Sequence, residues 1–263
     1  MTETACISVD VEREFSSGPA QIGNRVEQIL GLFEEYRVRA TFFVSGNLVC
    51  QNPGWLRDAA ERHEVAAHGY EHRNLRTLGR AGLEREIRRV QKAFEKAGLE
   101  CRGFRCPYLI IPEGLGAILS RNRFCYDSSR LSSPFSPQSL RYPLSKHQIV
   151  GIEEVPLQVL SPLRFPLNLS FLRLAGPGNI RRILPARVRT FYFHQWELNP
   201  RKDIEGYSLR KQFLFNLGDG AVLILRRLFE ILKERRVRYV CCDEAASGQT
   251  GTNINHSSGR PRI

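Results

Sequence analysis

The sequence predicts an α/β barrel of about seven parallel strands, and three observations carry that expectation. Short apolar runs of strand length alternate with segments of helical period along most of the 263 residues, the order that yields right-handed βαβ units and a parallel sheet. Polar residues gather just beyond the apolar runs, among them Asp10, His68, Arg105, Asp127 and His194, as they do on the C-terminal face of a barrel. No G-x-G-x-x-G follows the first run, which argues against the open, doubly wound alternative.

The elements follow in order. Ala5 to Val9 reads as a buried strand that delivers Asp10 and Glu12. Ile22, Val26, Ile29 and Phe33 fall at helical spacing within Gln21 to Tyr36, and A-T-F-F-V from Ala40 is the second strand. Asn52-Pro53 opens a helix through Arg62; the run Val65 to Ala67 then ends at His68. Leu83, Ile87, Val90 and Phe94 mark a third helix stopped by Gly98. Cys101 to Arg105 is the next strand, Ile111 to Leu119 a helix, and Phe124 to Tyr126 a short strand presenting Asp127. From 131 to 188 the period fades, and eight of the fourteen prolines fall there; such a stretch reads as an elaborated loop region. Thr190 to Phe193 hands off His194, Ala221 to Leu232 is an apolar helix, and Val237 to Cys242 a final strand. No linker interrupts the series, so residues 1–246 are expected to form a single domain, with 247–263, polar and Gly-rich, a disordered tail.

Composition narrows the function classes. Hydrophobic content of 42% is ample for a core. M-T-E-T-A at the start does not resemble an export signal, and no apolar run is long enough to span a bilayer; the expected location is cytoplasmic, with the inner membrane surface as its variant. Seven cysteines without C-x-x-C spacing suggest neither a disulfide framework nor a zinc ribbon. The formal charge of +12 is spread over helices without interleaved aromatics, so a solvated basic face is expected rather than a nucleic-acid site. An anionic lipid or phosphate-linked partner fits that charge as well.

His68 and His72 stand four residues apart in E-V-A-A-H-G-Y-E-H. They sit on one helical face or, because Gly69 follows the first, on a strand-to-loop hinge; either can bring both rings to one ion. A catalytic divalent ion wants three protein ligands from histidine and carboxylate. His68, His72 and one of Asp10 and Glu12 meet that count. The other carboxylate would take a proton from water, and His194, on a different strand, would return one to a leaving amine.

These residues also carry a resemblance. S-V-D-V-E at Ser8 to Glu12, His68-Gly-Tyr-Glu-His72, Arg105-Cys-Pro-Tyr108, Asp127-Ser-Ser and F-Y-F-H ending at His194 are similar, in order, to the five motifs of polysaccharide deacetylases of the nodulation-factor (NodB) type, the family 4 carbohydrate esterases. The forms S-V-D-V-E and F-H-Q-W-E-L resemble a branch linked to surface-glycan biosynthesis. The resemblance implies a distorted (β/α) barrel, the NodB homology domain. It also implies His68 and His72 as metal ligands, Arg105 as partner of the base, the Tyr108 backbone N–H at the oxyanion, Asp127 as the fourth-motif acid and His194 as general acid. The family has a second Asp where this sequence has Val11, so Asp10 is assigned as base and Glu12 as ligand, the reverse being the alternative. Zinc is the expected ion, with cobalt or another divalent ion in second place.

The expected function is metal-dependent removal of an N-acetyl group from an amino sugar of a polysaccharide or a lipid-linked precursor, with peripheral membrane contact through 155–189. A deformylase or other non-peptide C–N hydrolase on the same barrel is the runner-up, and a sugar-binding homologue with impaired catalysis the third reading. His63, His147 and His256 have no motif around them and read as surface residues.

Overall fold

The first apolar run forms strand β1 (Thr4–Val11), buried at every residue after the first, followed by α1 (Pro19–Tyr36) and β2 (Ala40–Val44). Pro19 suits the opening of α1, where its missing N–H costs nothing, and Ile22, Val26, Ile29 and Phe33 turn inward as their spacing predicts. Next come α2 (Gly46–Val49), α3 (Gly54–Arg62), β3 (Glu64–Ala67), α4 (Gly79–Lys96) and β4 (Gly103–Phe104). They lead to α5 (Leu115–Arg121), β5 (Tyr126–Asp127), β6 (Gln148–Ile149) and β7 (Ile152–Glu154). A hairpin of β8 (Val159–Leu160) and β9 (Phe165–Pro166) precedes α6 (Leu169–Ala175) and α7 (Ile180–Ile183). The chain closes with β10 (Thr190–His194), α8 (Arg201–Ile204), α9 (Asp219–Glu234), β11 (Arg238–Tyr239) and α10 (Cys242–Ser247). This computed structural model describes residues 3–16, 18–51, 53–134, 148–149, 152–204 and 214–248; His147, His256 and residues 249–263 lie outside them.

Seven strands run parallel in the order β10-β1-β2-β3-β4-β5-β7, curled as a half-barrel, and β6 adds antiparallel to β7. Between β7 and β10 side chains take the place of a ladder. Gln158 accepts from the Arg189 amide at 2.6 Å and donates to the Arg187 carbonyl at 2.8 Å, and Thr190 Oγ1 donates to the Pro156 carbonyl at 3.0 Å. The barrel is distorted because this seam is bridged rather than paired.

Period-two alternation sorts each strand. Ile7, Val9 and Val11 join the core beneath the helices, whereas Cys6, Phe43, Ala66, Tyr126, Val155 and Val240 fill the barrel interior, with Cys242 and Ala246 of α10 closing its lower end. Gly103 is required there: a Cβ at that position would lie 2.1 Å from the Tyr126 ring.

Three expectations need correction. The run from Val237 to Cys242 is a strand only at Arg238–Tyr239, and Cys242 starts a helix because its amide donates to Thr41 Oγ1 at 2.8 Å, with Asp243 and Glu244 in the favourable first turn. The helix expected from Ile111 begins at Leu115, since Pro112 and the left-handed Gly114 hold the chain in a turn first. The 131–188 stretch is not one loop: α6, capped by the Asn168 side chain accepting from the Phe171 amide at 2.9 Å, packs on α9. Among the described residues no helix is long and apolar enough to cross a membrane.

His63 is likewise not a simple surface residue. Its ring packs on Phe33 and Phe42, and Nδ1 accepts from the Ala40 amide at 3.3 Å. Burial, then Arg62 and Arg39, push its pKa down from 6.5 to about 4. A base whose folded pKa is depressed is protonated first in the unfolded chain, so its contribution is whole above pH 6.5 and is lost as pH falls from 6.5 toward about 4. We predict that the thermal midpoint falls more steeply between about pH 7 and pH 5 in the wild type than in His63→Gln. Equal slopes would remove His63 as the cause.

Candidate active site

The ends of β1, β3, β4 and β10 converge on one face. Because Asp10 pairs with His194 in the parallel register and the residue after β3 is His68, whose amide bonds the Val44 carbonyl at 3.0 Å, the strand ends set the site directly. Alternation places Asp10 and Glu12 on the same side of β1 while Val11 turns into the outer core.

Beneath the site lies Arg105, fully buried. Its Nη1 donates to Asp10 Oδ1 at 2.6 Å and Ser8 Oγ at 3.0 Å; Nε and Nη2 donate to the Ser128 carbonyl and hydroxyl, both at 2.9 Å. The guanidinium carbon sits 4.0 Å from the centre of the Phe43 ring. Burial alone would weaken its protonation, but the Asp10 carboxylate more than compensates and the pKa rises. A buried charge is thereby paired and almost fully hydrogen-bonded.

Glu12, His68 and His72 face one another above this pair. Glu12 Oε2 lies 3.6 Å from His68 Nε2 and 2.5 Å from His72 Nε2. The outer nitrogens of both rings face other groups: His68 Nδ1 donates to the Arg105 carbonyl at 2.9 Å, and His72 Nδ1, without a hydrogen bond, stands 3.5 Å from Glu14 Oε1. The other carboxylate oxygen, Glu12 Oε1, accepts from the Trp196 indole at 3.1 Å, and Gln195 clamps the Glu12 backbone through both amide atoms at 2.6 and 3.2 Å. What remains is Oε2, buried and without a well-directed hydrogen-bond donor, beside two inward imidazole nitrogens. This donor set fits a divalent cation, and the three atoms lie within 4.8 Å of one another. Burial resists the Glu12 charge, yet the two histidines hold its pKa well below the usual carboxylate range; burial likewise opposes protonation of His72, which Glu12 and Glu14 push up to about 9.

Local backbone geometry makes the turn possible. Gly69 has φ +67°, and a Cβ there would meet Pro107 Cγ at 2.8 Å. His72, Tyr108 and Leu109 also take positive φ, an unusual state for large residues and one that clusters at functional sites. The Tyr108 ring lies 4.6 Å from the His72 ring, and its hydroxyl donates to Glu14.

His194 borders the cleft, a quarter of its side chain exposed. Nε2 lies 3.8 Å from Asp10 Oδ2 and Nδ1 3.5 Å from Glu197 Oε1, while the ring packs on Trp196. Burial opposes charge, but Glu197, Glu12 and Asp10 push its pKa up to about 9. Asp127 sits elsewhere. Its Oδ1 accepts from Ser129 Oγ at 2.5 Å, Ser129 Oγ in turn accepts from the Cys106 amide at 2.8 Å, and burial raises the Asp127 pKa to about 6. The carboxylates that stand against His194 are those of Asp10 and Glu197.

The structure thus brings together Asp10, Glu12, His68, His72, Arg105, Tyr108 and His194, and sets Asp127 under the Arg105–Tyr108 loop. Sequence reasoning missed Glu14, Trp196 and Glu197. Glu14 continues the alternation of Asp10 and Glu12, and Glu197 follows His194 by three residues at a helical turn; both were signals in the chain.

Residues 11–124 match the family model for polysaccharide deacetylases. A chitooligosaccharide deacetylase of Sinorhizobium fredii is 35% identical over 97 residues, 36% of this chain and 44% of that protein. The peptidoglycan-N-acetylglucosamine deacetylase PgdA of Listeria monocytogenes is 33% identical over 96 residues, 36% of this chain and 20% of that protein. The chain therefore spans less than half the length of these curated relatives. In structure it is similar to a family 4 carbohydrate esterase from Streptomyces lividans solved with acetate, with TM-score 0.57 and 17% identity over 90% of this chain and 91% of the other. A family 4 pseudoenzyme of Bacillus anthracis superposes as well, with TM-score 0.58 and 14% identity over 92% and 65%. These likenesses establish the fold.

Proposed function

We propose that this chain, a member of the polysaccharide deacetylase family through its match over residues 11–124, hydrolyses the N-acetyl group of an amino sugar in a polysaccharide or a lipid-linked glycan precursor. The observation that carries the reading is the inward set Glu12 Oε2, His68 Nε2 and His72 Nε2 beside the Asp10–Arg105 pair.

Glu12, His68 and His72 would hold a divalent ion, zinc foremost, which when bound polarises a carbonyl and acidifies water. Asp10 takes the proton of the water that attacks the acetamide carbon, and Arg105 fixes the direction of that carboxylate. The Tyr108 amide donates to the developing oxyanion. His194 delivers a proton to the departing amine as the C–N bond breaks, so acetate and the free amino sugar leave. Its raised pKa, about 9, keeps it protonated at neutral pH.

The lipid-linked variant is supported by the exposed Leu163, Arg182 and Arg187 around the β8–β9 hairpin and α7, a mixture suited to an anionic membrane surface. The test is acetate release from chitooligosaccharide and from a lipid-linked N-acetylamino sugar, with the metal supplied and with it chelated. The reading expects release that chelation stops, and faster release from the lipid-linked substrate if that variant holds. Binding of either sugar with no acetate released would instead support a sugar-binding homologue with impaired catalysis.

A further inference from the structure

We propose that Glu197 is the positioning residue for His194 and that Arg173 of α6 fixes it in place, so that the segment joining β7 to β10 acts on the proton-donating imidazole through a buried Arg173–Glu197–His194 chain. The inference rests on the reading of His194 as general acid.

Glu197 is fully buried and its two oxygens divide the work. Oε1 accepts from the His194 amide at 3.1 Å and stands 3.5 Å from His194 Nδ1, so one atom is bonded to the backbone and faces the ring. Oε2 accepts from Arg173 Nε and from Ser170 Oγ, both at 2.8 Å. Arg173 is itself buried; its Nη1 donates to the Phe215 carbonyl at 2.6 Å and its carbonyl accepts from Asn216 Nδ2 at 2.7 Å. A carboxylate in such a place would be driven to protonate, but the guanidinium keeps it anionic.

An anionic Glu197 beside Nδ1 favours a proton on that nitrogen, both in the charged ring and in the neutral ring left after Nε2 has given up its proton. Nε2 is then the nitrogen that faces Asp10 and the cleft, the one that must lose and regain a proton. The 3.5 Å spacing is that of an ion pair rather than a short hydrogen bond, a looseness common before substrate binds. Asp127, bonded to Ser129, stands in the loop beneath Arg105 instead. Both Ser170 and Arg173 come from α6, which gives that helix a chemical reason to pack where it does.

The test compares wild type, Glu197→Gln, Arg173→Lys and Arg173→Met/Glu197→Gln, the last removing both buried charges together so that no carboxylate is stranded. For each, long-range proton–nitrogen NMR spectra are followed through the titration of His194 until the ring is neutral, where they show which nitrogen keeps the proton, and kcat and KM are measured with metal content. We expect Glu197→Gln and the double variant to lose the Nδ1 proton preference and to drop kcat on the order of 10²-fold or more with KM and metal content unchanged. Arg173→Lys should retain most of both. An unchanged His194 spectrum in a folded Glu197→Gln or double variant overturns the proposal. The spectrum is informative even if the wild type releases no acetate, which would overturn the deacetylase reading alone.

Discussion

Asp10→Asn is expected to slow deacetylation about 10³-fold while leaving metal content unchanged. Asparagine is nearly isosteric and can still accept from Arg105, but it cannot take a proton from water. Two geometric facts separate Asp10 from the metal set: its Oδ1 is engaged by Arg105 at 2.6 Å, and its Oδ2 faces His194 at 3.8 Å. The substitution also leaves the buried guanidinium without its counter-charge, and losing one partner of such a pair typically costs about 3–5 kcal/mol. Turnover must therefore be scaled to the folded fraction at the assay temperature. A rate loss that merely follows the folded fraction would remove Asp10 as the base.

Much of this site was legible in the sequence because strands fix it. Asp10, His68, Arg105 and His194 all follow apolar runs, and parallel pairing brings such ends to one face. The departure at Val11 is also readable once alternation is applied, since a regular strand turns positions 10 and 12 to one side and 11 to the other. What the chain hid depends on turns. Tyr108 meets Glu14 from a left-handed conformation, and His72, 3.5 Å from Glu14, is left-handed as well. Both conformations are imposed by packing and have no local code in bulky residues. Asp127, a strand-end acid in the right order, bonds Ser129 in the loop below Arg105, and the buried Glu197, from a turn three residues past His194 that no apolar run announces, stands 3.5 Å from that ring. Cys241 and Cys242 looked like the end of a strand because they are apolar, whereas the long-range bond from the Cys242 amide to Thr41 decides for a helix.

The second large effect concerns Glu12. Its replacement by alanine removes the one carboxylate oxygen that faces both imidazoles, and a site of two histidines lacks the third ligand that a catalytic divalent ion requires. Glu12→Ala is accordingly expected to bind metal weakly or not at all, with turnover lost as a consequence rather than by damage to the fold, since Gln195 clamps the Glu12 backbone through atoms the substitution leaves in place. The direct measurement is metal content per chain after dialysis against zinc, made on wild type, Glu12→Ala and Asp10→Asn together. One ion per chain in wild type and Asp10→Asn with none in Glu12→Ala is the predicted result. Loss in Asp10→Asn with retention in Glu12→Ala would contradict it and exchange the roles of the two acids.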